Sequence, residues 1–191
     1  MNHEIISSHF EEHTNLVNSV AGSHASKIDD AAIQISRSLS LGGTLFFCGN
    51  GGSAADSQHL AAELVGRFKK DRKPLRSLAL TTDSSVISSV ANDYSYSEVF
   101  SRQLEALGRE GDALVAISTS GSSPNILKVL EVAQAKNVYT VSLLGNDGGQ
   151  AKDISNLPII VPSTTTARIQ EIHCLIGHIL CDLIETELGY A

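Results

Sequence analysis

Residues 44–67 read TLFFCGNGGSAADSQHLAAELVGR. An unbroken apolar run gives way to glycines, and the glycines to a segment of helical periodicity. This is the profile of a strand buried on both faces, a tight loop, and a helix packed back on the sheet. Four more short apolar runs repeat it: SLAL (77–80), ALVAIS (113–118), YTVSLL (139–144) and LPIIVP (157–162). Each is bounded by turn residues and followed by a helical or loop segment. Strands alternating with helices predict an α/β, doubly wound parallel sheet of five strands.

Ahead of the first strand, Ile5, Ile6, Phe10, Leu16, Val17 and Val20 recur at near-helical spacing. A second helix is expected over Ser26–Leu41, with Ala31, Ala32, Ile35 and Leu39 inward and Gly42 and Gly43 as its stop. The last helix is expected over Ala167–Leu188, apolar on much of its surface. Helices at both ends of the sheet unit suit packing against other subunits. With 191 residues and no linker or repeat, residues 1–191 read as a single domain. Within it, 1–41 form the N-terminal helices and 42–191 the α/β core and C-terminal helix.

Composition excludes several classes. The formal charge is −7, from 14 Lys+Arg against 21 Asp+Glu. There is no basic stripe, so no nucleic-acid partner is expected. The one basic cluster, FKKDRK (68–73), reads as a solvated turn. No apolar run approaches the roughly 20 residues that span a membrane, so no membrane partner is expected. The start, MNHEIISSHFEEH, has acids but no Lys or Arg, unlike a signal peptide, and a cytoplasmic protein follows. The cysteines, Cys48, Cys174 and Cys181, are odd in number and lack CxxC spacing, which suits buried reduced thiols.

In a parallel α/β sheet, ligands bind beyond the carboxyl ends of the strands. Two loops there stand out. GNGGSAADS (49–57) has neither GxGxxG spacing nor the GK[ST] of a P-loop. Its Gly51 and Gly52 allow close backbone approach, and Asn50 and Ser53 add polar groups, but a plain strand–helix turn would look the same. STSGSSPN (118–125) crowds Ser118, Thr119, Ser120, Ser122 and Ser123 around Gly121, and Pro124 opens a helix. A helix cap needs one hydroxyl and this loop offers five, which favours a phosphate.

His59 and Glu63 are i and i+4, so they share a helix face. That spacing suits two ligands of one metal ion, or a base and its orienting partner, and equally a half-exposed surface pair. In RIQEIHCLIGHIL (168–180), Gln170, Glu171, His173 and His178 interrupt apolar sequence. Gln170 and His178 stand about 12 Å apart along a helix and some 80° around it. They reach one ion only at full stretch, unless a neighbouring subunit supplies one of them. Asn92 and Asp93, between two helical patterns, read as an Asx turn.

Taken together, GNGGSAADSQHLAAEL, AND (91–93), REGDALVAISTSGSS and ARIQEIH resemble the sugar isomerase (SIS) domain family and, within it, the phosphoheptose isomerases. The resemblance covers essentially the whole chain. It implies a flavodoxin-like five-stranded sheet, N-terminal helices used in oligomer packing, and a homotetramer with active sites between subunits. It implies conversion of D-sedoheptulose 7-phosphate to D-glycero-D-manno-heptose 7-phosphate through an enediol, leading to ADP-heptose and the lipopolysaccharide core. Glu63 falls on the family's catalytic base and His178 on its partner acid/base. His59, Glu63, Gln170 and His178 fall on zinc ligands. Asn50, Gly51, Gly52, His59, Glu63, Asn92, Asp93, Ser118, Thr119, Ser120, Ser123 and Gln170 fall on substrate-binding positions. A related tetramer lacks the acid/base pair and serves as a scaffold for the replication initiator DnaA; Glu63 and His178 argue for the enzyme.

Overall fold

The computed structural model describes residues 2–190. The chain opens with one helix of 39 residues, α1 (Asn2–Ser40), where the sequence reading placed two. The stretch AGSHAS (21–26) lacks the apolar spacing of its flanks, yet the helix runs through it. Contacts far along the chain hold it there: His24 Nε2 donates to the Ile160 carbonyl (2.8 Å) and Lys27 Nζ to that of Pro158 (3.2 Å). Leu16, Val20, Ile28, Ala31, Ala32 and Ile35 form its buried stripe. The helix ends before Gly42, whose φ of 85° lies in the left-handed region.

After it come β1 (Leu45–Gly49), α2 (Gly52–Val65), β2 (Ser77–Ala79), α3 (Ser84–Asp93), a 3₁₀ turn (Tyr96–Glu98) and α4 (Ser101–Leu107). Then follow β3 (Ala113–Ser118), α5 (Pro124–Ala135), β4 (Tyr139–Leu144), α6 (Ala151–Ile154), β5 (Leu157–Ile160) and α7 (Thr166–Glu187). All five expected strands form, and they make one parallel sheet in the order β2-β1-β3-β4-β5. This is the flavodoxin-like order.

Alternate residues of each strand face opposite layers. Leu45, Phe47, Val115, Ile117 and Leu143 pack against α1, α2 and α7 on one face. Phe46, Cys48, Leu114, Ala116 and Leu144 pack against α3, α4, α5 and α6 on the other. The continuous apolar runs are thus the signature of two-sided burial. The layering also puts α2 and α7, which carry His59, Glu63 and His178, side by side on one face. Gly177 lets them close: a Cβ there would meet the Leu60 methyls of α2 at 2.6 and 2.7 Å.

Candidate active site

The sheet order reverses between β1 and β3, so the loops after these strands splay apart and leave a crevice between them. Both expected loops are there. Asn50 and Asn125 join them through a reciprocal amide pair: Asn50 Nδ2 donates to Asn125 Oδ1 (2.9 Å) and Asn125 Nδ2 to Asn50 Oδ1 (2.8 Å). Tyr96 O–H donates to Asn50 Oδ1 as well, at 3.3 Å. Gly51, at φ 58°, makes the turn into α2.

Three helices start at this edge of the sheet without a side-chain cap: α2 behind Gly51, α5 behind Ser123 and α7 behind Thr165. By contrast, α3 is capped by Asp83, which accepts the Val86 N–H at 3.0 Å. Uncapped N–H groups and aligned peptide dipoles attract an anion. In the serine loop, the Ser118 and Ser120 hydroxyl oxygens accept the N–H groups of Gly121 (3.1 Å) and Ser122 (3.2 Å). Each keeps its own O–H proton to donate. Gly121 sits at φ 64°, and a Cβ there would lie 2.0 Å from the Gly148 carbonyl. Asn146 Nδ2 donates to the Thr119 carbonyl at 2.9 Å, linking this loop to an open cleft of about 630 Å³ lined by Asn146, Asp147, Ser163, Thr164 and Thr165.

Further along α2, His59 and Glu63 face α7. His59 Nε2 lies 2.8 Å from His178 Nε2 and 3.6 Å from Glu63 Oε1. Ligand atoms of His59, Glu63 and His178 all lie within 4.8 Å of one another. A tetrahedral zinc ion with bonds of about 2.05 Å holds its ligand atoms about 3.3 Å apart. The two short distances bracket that value, and imidazole with carboxylate is a donor set zinc accepts. The three residues therefore fit a zinc ion. Gln170, two turns before His178, lies against Gly52; a Cβ on that glycine would meet Gln170 Nε2 at 2.7 Å. The His59–Glu63–His178 cluster and the glycine loop are thus linked along α7, through Gln170.

Three features of the site escaped sequence reading, and a fourth, Cys174, departs from the buried thiol expected there. Asp56, one turn before His59, is half-buried; burial pushes its carboxyl above the usual range, while His59 and His178 pull it back. Cys174 is only partly covered, and burial together with the Asp56 charge raises its thiol. Asn125 is 2% exposed, and its side-chain amide pairs with that of Asn50. Phe68 stacks on the His178 imidazole, with centroids 5.6 Å apart and an interplanar angle of 17°.

Two expectations need correction. FKKDRK is a solvated turn only in part: Lys69, Lys70, Asp71 and Lys73 are exposed, but the Arg72 side chain is 0% exposed and pairs with Glu185 at 2.9 Å. Asn92 and Asp93 are the last two residues of α3 rather than an Asx turn; both are exposed, and Asn92 Nδ2 donates to Asp93 Oδ1 at 2.8 Å. Cys48 and Cys181 are buried free thiols as expected, and burial pushes the Cys181 thiol up to about 12.

Residues 8–145 match the family model of the SIS domain. The phosphoheptose isomerase of Rhodospirillum rubrum is 52% identical over 167 residues, spanning 87% of this chain and 89% of that protein. The structure of phosphoheptose isomerase GmhA from Neisseria gonorrhoeae superposes with a TM-score of 0.92 at 38% identity, covering 97% of this chain and all of that one. A phosphoheptose isomerase from Francisella tularensis superposes with a TM-score of 0.94 at 37% identity, covering 97% and 99%.

Proposed function

This chain belongs to the SIS domain family, in its phosphoheptose isomerase branch, and on that footing we propose that it converts D-sedoheptulose 7-phosphate to D-glycero-D-manno-heptose 7-phosphate. One observation carries the proposal. Glu63 from α2 and His178 from α7 meet beside a crevice whose hydroxyl loop and uncapped helix ends suit a phosphate ester.

The phosphate docks on Ser118, Thr119, Ser120 and Ser123, with the Asn50–Asn125 pair fixing the spacing of the two loops. Gly51, Gly52, Asn92, Asp93 and Gln170 complete the sugar site. Binding at the phosphate end positions the reacting end. The Glu63 carboxylate removes a proton from C1 of the open-chain ketose. The C1=C2 bond of an enediol forms as the C2 carbonyl oxygen takes a proton from His178. Glu63 then returns its proton to C2 while the C1 hydroxyl gives its proton to His178 and becomes the aldehyde. Electrons and protons balance within the sugar, so no oxidant is needed. Each positioned acid or base typically contributes about 10²–10⁴-fold.

His59, Glu63 and His178, with Gln170 as a fourth ligand, would hold a zinc ion. When bound it supplies Lewis acidity that polarises the carbonyl. His59 then acts as a ligand and as the partner that orients Glu63.

The proposal extends to a homotetramer with sites between subunits. Exposed Ile5 (53%), Ile6 (55%) and Phe10 (71%) on α1 support it, because apolar surface of this kind is usually covered by a partner. Among the described residues no helix is long and apolar enough to cross a membrane. We place the enzyme in the cytoplasm, supplying heptose for ADP-heptose and the lipopolysaccharide core.

Turnover of D-sedoheptulose 7-phosphate by the purified protein, before and after chelation and zinc return, tests the reading. Zinc-restored conversion to the aldose is expected. A folded protein that converts none of it in any metal would overturn the isomerase and send attention to DnaA binding.

A further inference from the structure

The segment between α2 and β2 is stitched to both helices that carry the proposed acid/base groups. Its anchor is Glu185, seven residues beyond His178 and so two turns along α7. Glu185 Oε1 accepts the Phe68 N–H (3.1 Å) and Arg72 Nε (2.9 Å), and Oε2 accepts the N–H groups of Lys69 and Lys70 (3.1 Å each). Burial pushes this carboxyl up, but the backbone donors and Arg72 outweigh burial and hold it below the usual range. Arg72 in turn donates to the carbonyls of Leu64 (2.8 Å) and Glu63 (3.0 Å) at the end of α2. One buried ion pair therefore ties the end of α2, the segment and α7 into a single unit.

That unit presents Phe68 to the site. Its ring lies nearly parallel to the His178 imidazole, at 5.6 Å and 17°. It lies alongside the imidazole in a nearly parallel plane and takes neither ring nitrogen, so Nε2 remains pointed at His59. Lys69 secures the arrangement from outside: its ammonium lies 2.7 Å from Asp182 of α7 and 5.6 Å above the Phe68 ring.

We infer that Phe68 is a positioning residue for catalysis, held by the Glu185–Arg72 clasp, and that its ring fixes the plane of the His178 imidazole. The inference rests on the reading of His178 as acid/base. An aromatic partner adds an orientation preference to mere bulk, because paired rings favour defined relative planes beyond what buried area supplies.

Steady-state kinetics of Phe68→Ala, Phe68→Leu, Phe68→Tyr and His178→Ala, with thermal melts of each, test this. Phe68→Ala should lower kcat about three- to ten-fold, the typical worth of one aromatic pair expressed as a rate. KM should stay within about two-fold, because the phosphate site is untouched. Phe68→Tyr should restore kcat, and Phe68→Leu should not, even where its melting temperature matches wild type. Wild-type kcat in Phe68→Ala, or equal rescue by Leu and Tyr, would overturn the inference. Loss of turnover in His178→Ala with an unchanged Phe68→Ala overturns this inference and leaves the role of the histidine standing. Full turnover in His178→Ala overturns the role of the histidine and this inference with it.

Discussion

Acidification should destabilise the fold through His173 in particular. This histidine is 0% exposed, on the inner face of α7. Its Nε2 lies 3.0 Å from the Leu144 carbonyl at the end of β4 and must carry the proton of that bond, since a carbonyl only accepts. Among the described residues its Nδ1 has no hydrogen-bond partner, so a second proton there would bring an unsolvated charge inside. Burial, opposed in part by the bond to Leu144, pushes the pKa from 6.5 to about 4. Between those values the unfolded chain binds a proton and the folded chain does not. Stability is therefore intact above the unfolded value and is lost as the pH falls through the window. One pKa unit corresponds to about 1.36 kcal/mol. At about pH 5 the loss from this one group is about 2 kcal/mol, approaching about 3 kcal/mol below about pH 4. Urea unfolding at fixed protein concentration, on wild type and His173→Gln, isolates it, because the carboxylates cancel in the difference. The stability gap between the two should shift against wild type by about 2 kcal/mol from about pH 7.5 to about pH 5. A gap constant to about 0.5 kcal/mol would mean that the imidazole titrates normally in the fold, refuting the burial argument.

Glu63→Gln removes the proposed base but keeps the shape. Turnover should fall by about 10²-fold or more, while calorimetric binding of the sugar phosphate stays within a few-fold. Gly177→Ala places a Cβ against the Leu60 methyls at 2.6 and 2.7 Å. Overpacking of about 1–3 kcal/mol, offset by about 1 kcal/mol of helix propensity, should lower the melting temperature modestly. As α2 and α7 part, kcat should drop more than stability alone explains. Arg72→Met leaves Glu185 buried with its backbone donors but no countercharge. The denaturant midpoint should report a loss of about 3 kcal/mol, the lower end for a broken buried pair.

The sheet was legible because two-sided burial writes itself as contiguous apolar residues, and all five runs became strands. The helix pair 1–41 was not, because the continuity of α1 is decided elsewhere. Gly22 and its polar neighbours weaken the local signal, and the carbonyls of Pro158 and Ile160, more than 130 residues on, supply the anchors. Charge misled at FKKDRK for the same reason: the partner that buries Arg72 lies 113 residues away. Spacing alone put His59 and Glu63 on one face. Bringing His178 to them, 119 residues later, took the resemblance of the motifs and not their periodicity. Phe68 and Asn125 had no signal at all, since a stack and an amide pair across the fold leave no local pattern.

The anchors of α1 have a bearing on how the protein behaves at high concentration. Val161 N–H bonds inward to Leu144, so the alternate carbonyls of Pro158 and Ile160 point to the free edge of β5. His24 and Lys27 already occupy both. Pro158 has no N–H to offer, so a strand from another molecule would find this border mostly taken. The opposite border, β2, is only 3 residues long. The helix that looks like an oligomerisation arm is thus also a guard rail: it leaves ordered assembly open through its apolar face and withholds the backbone templates from which fibrils grow.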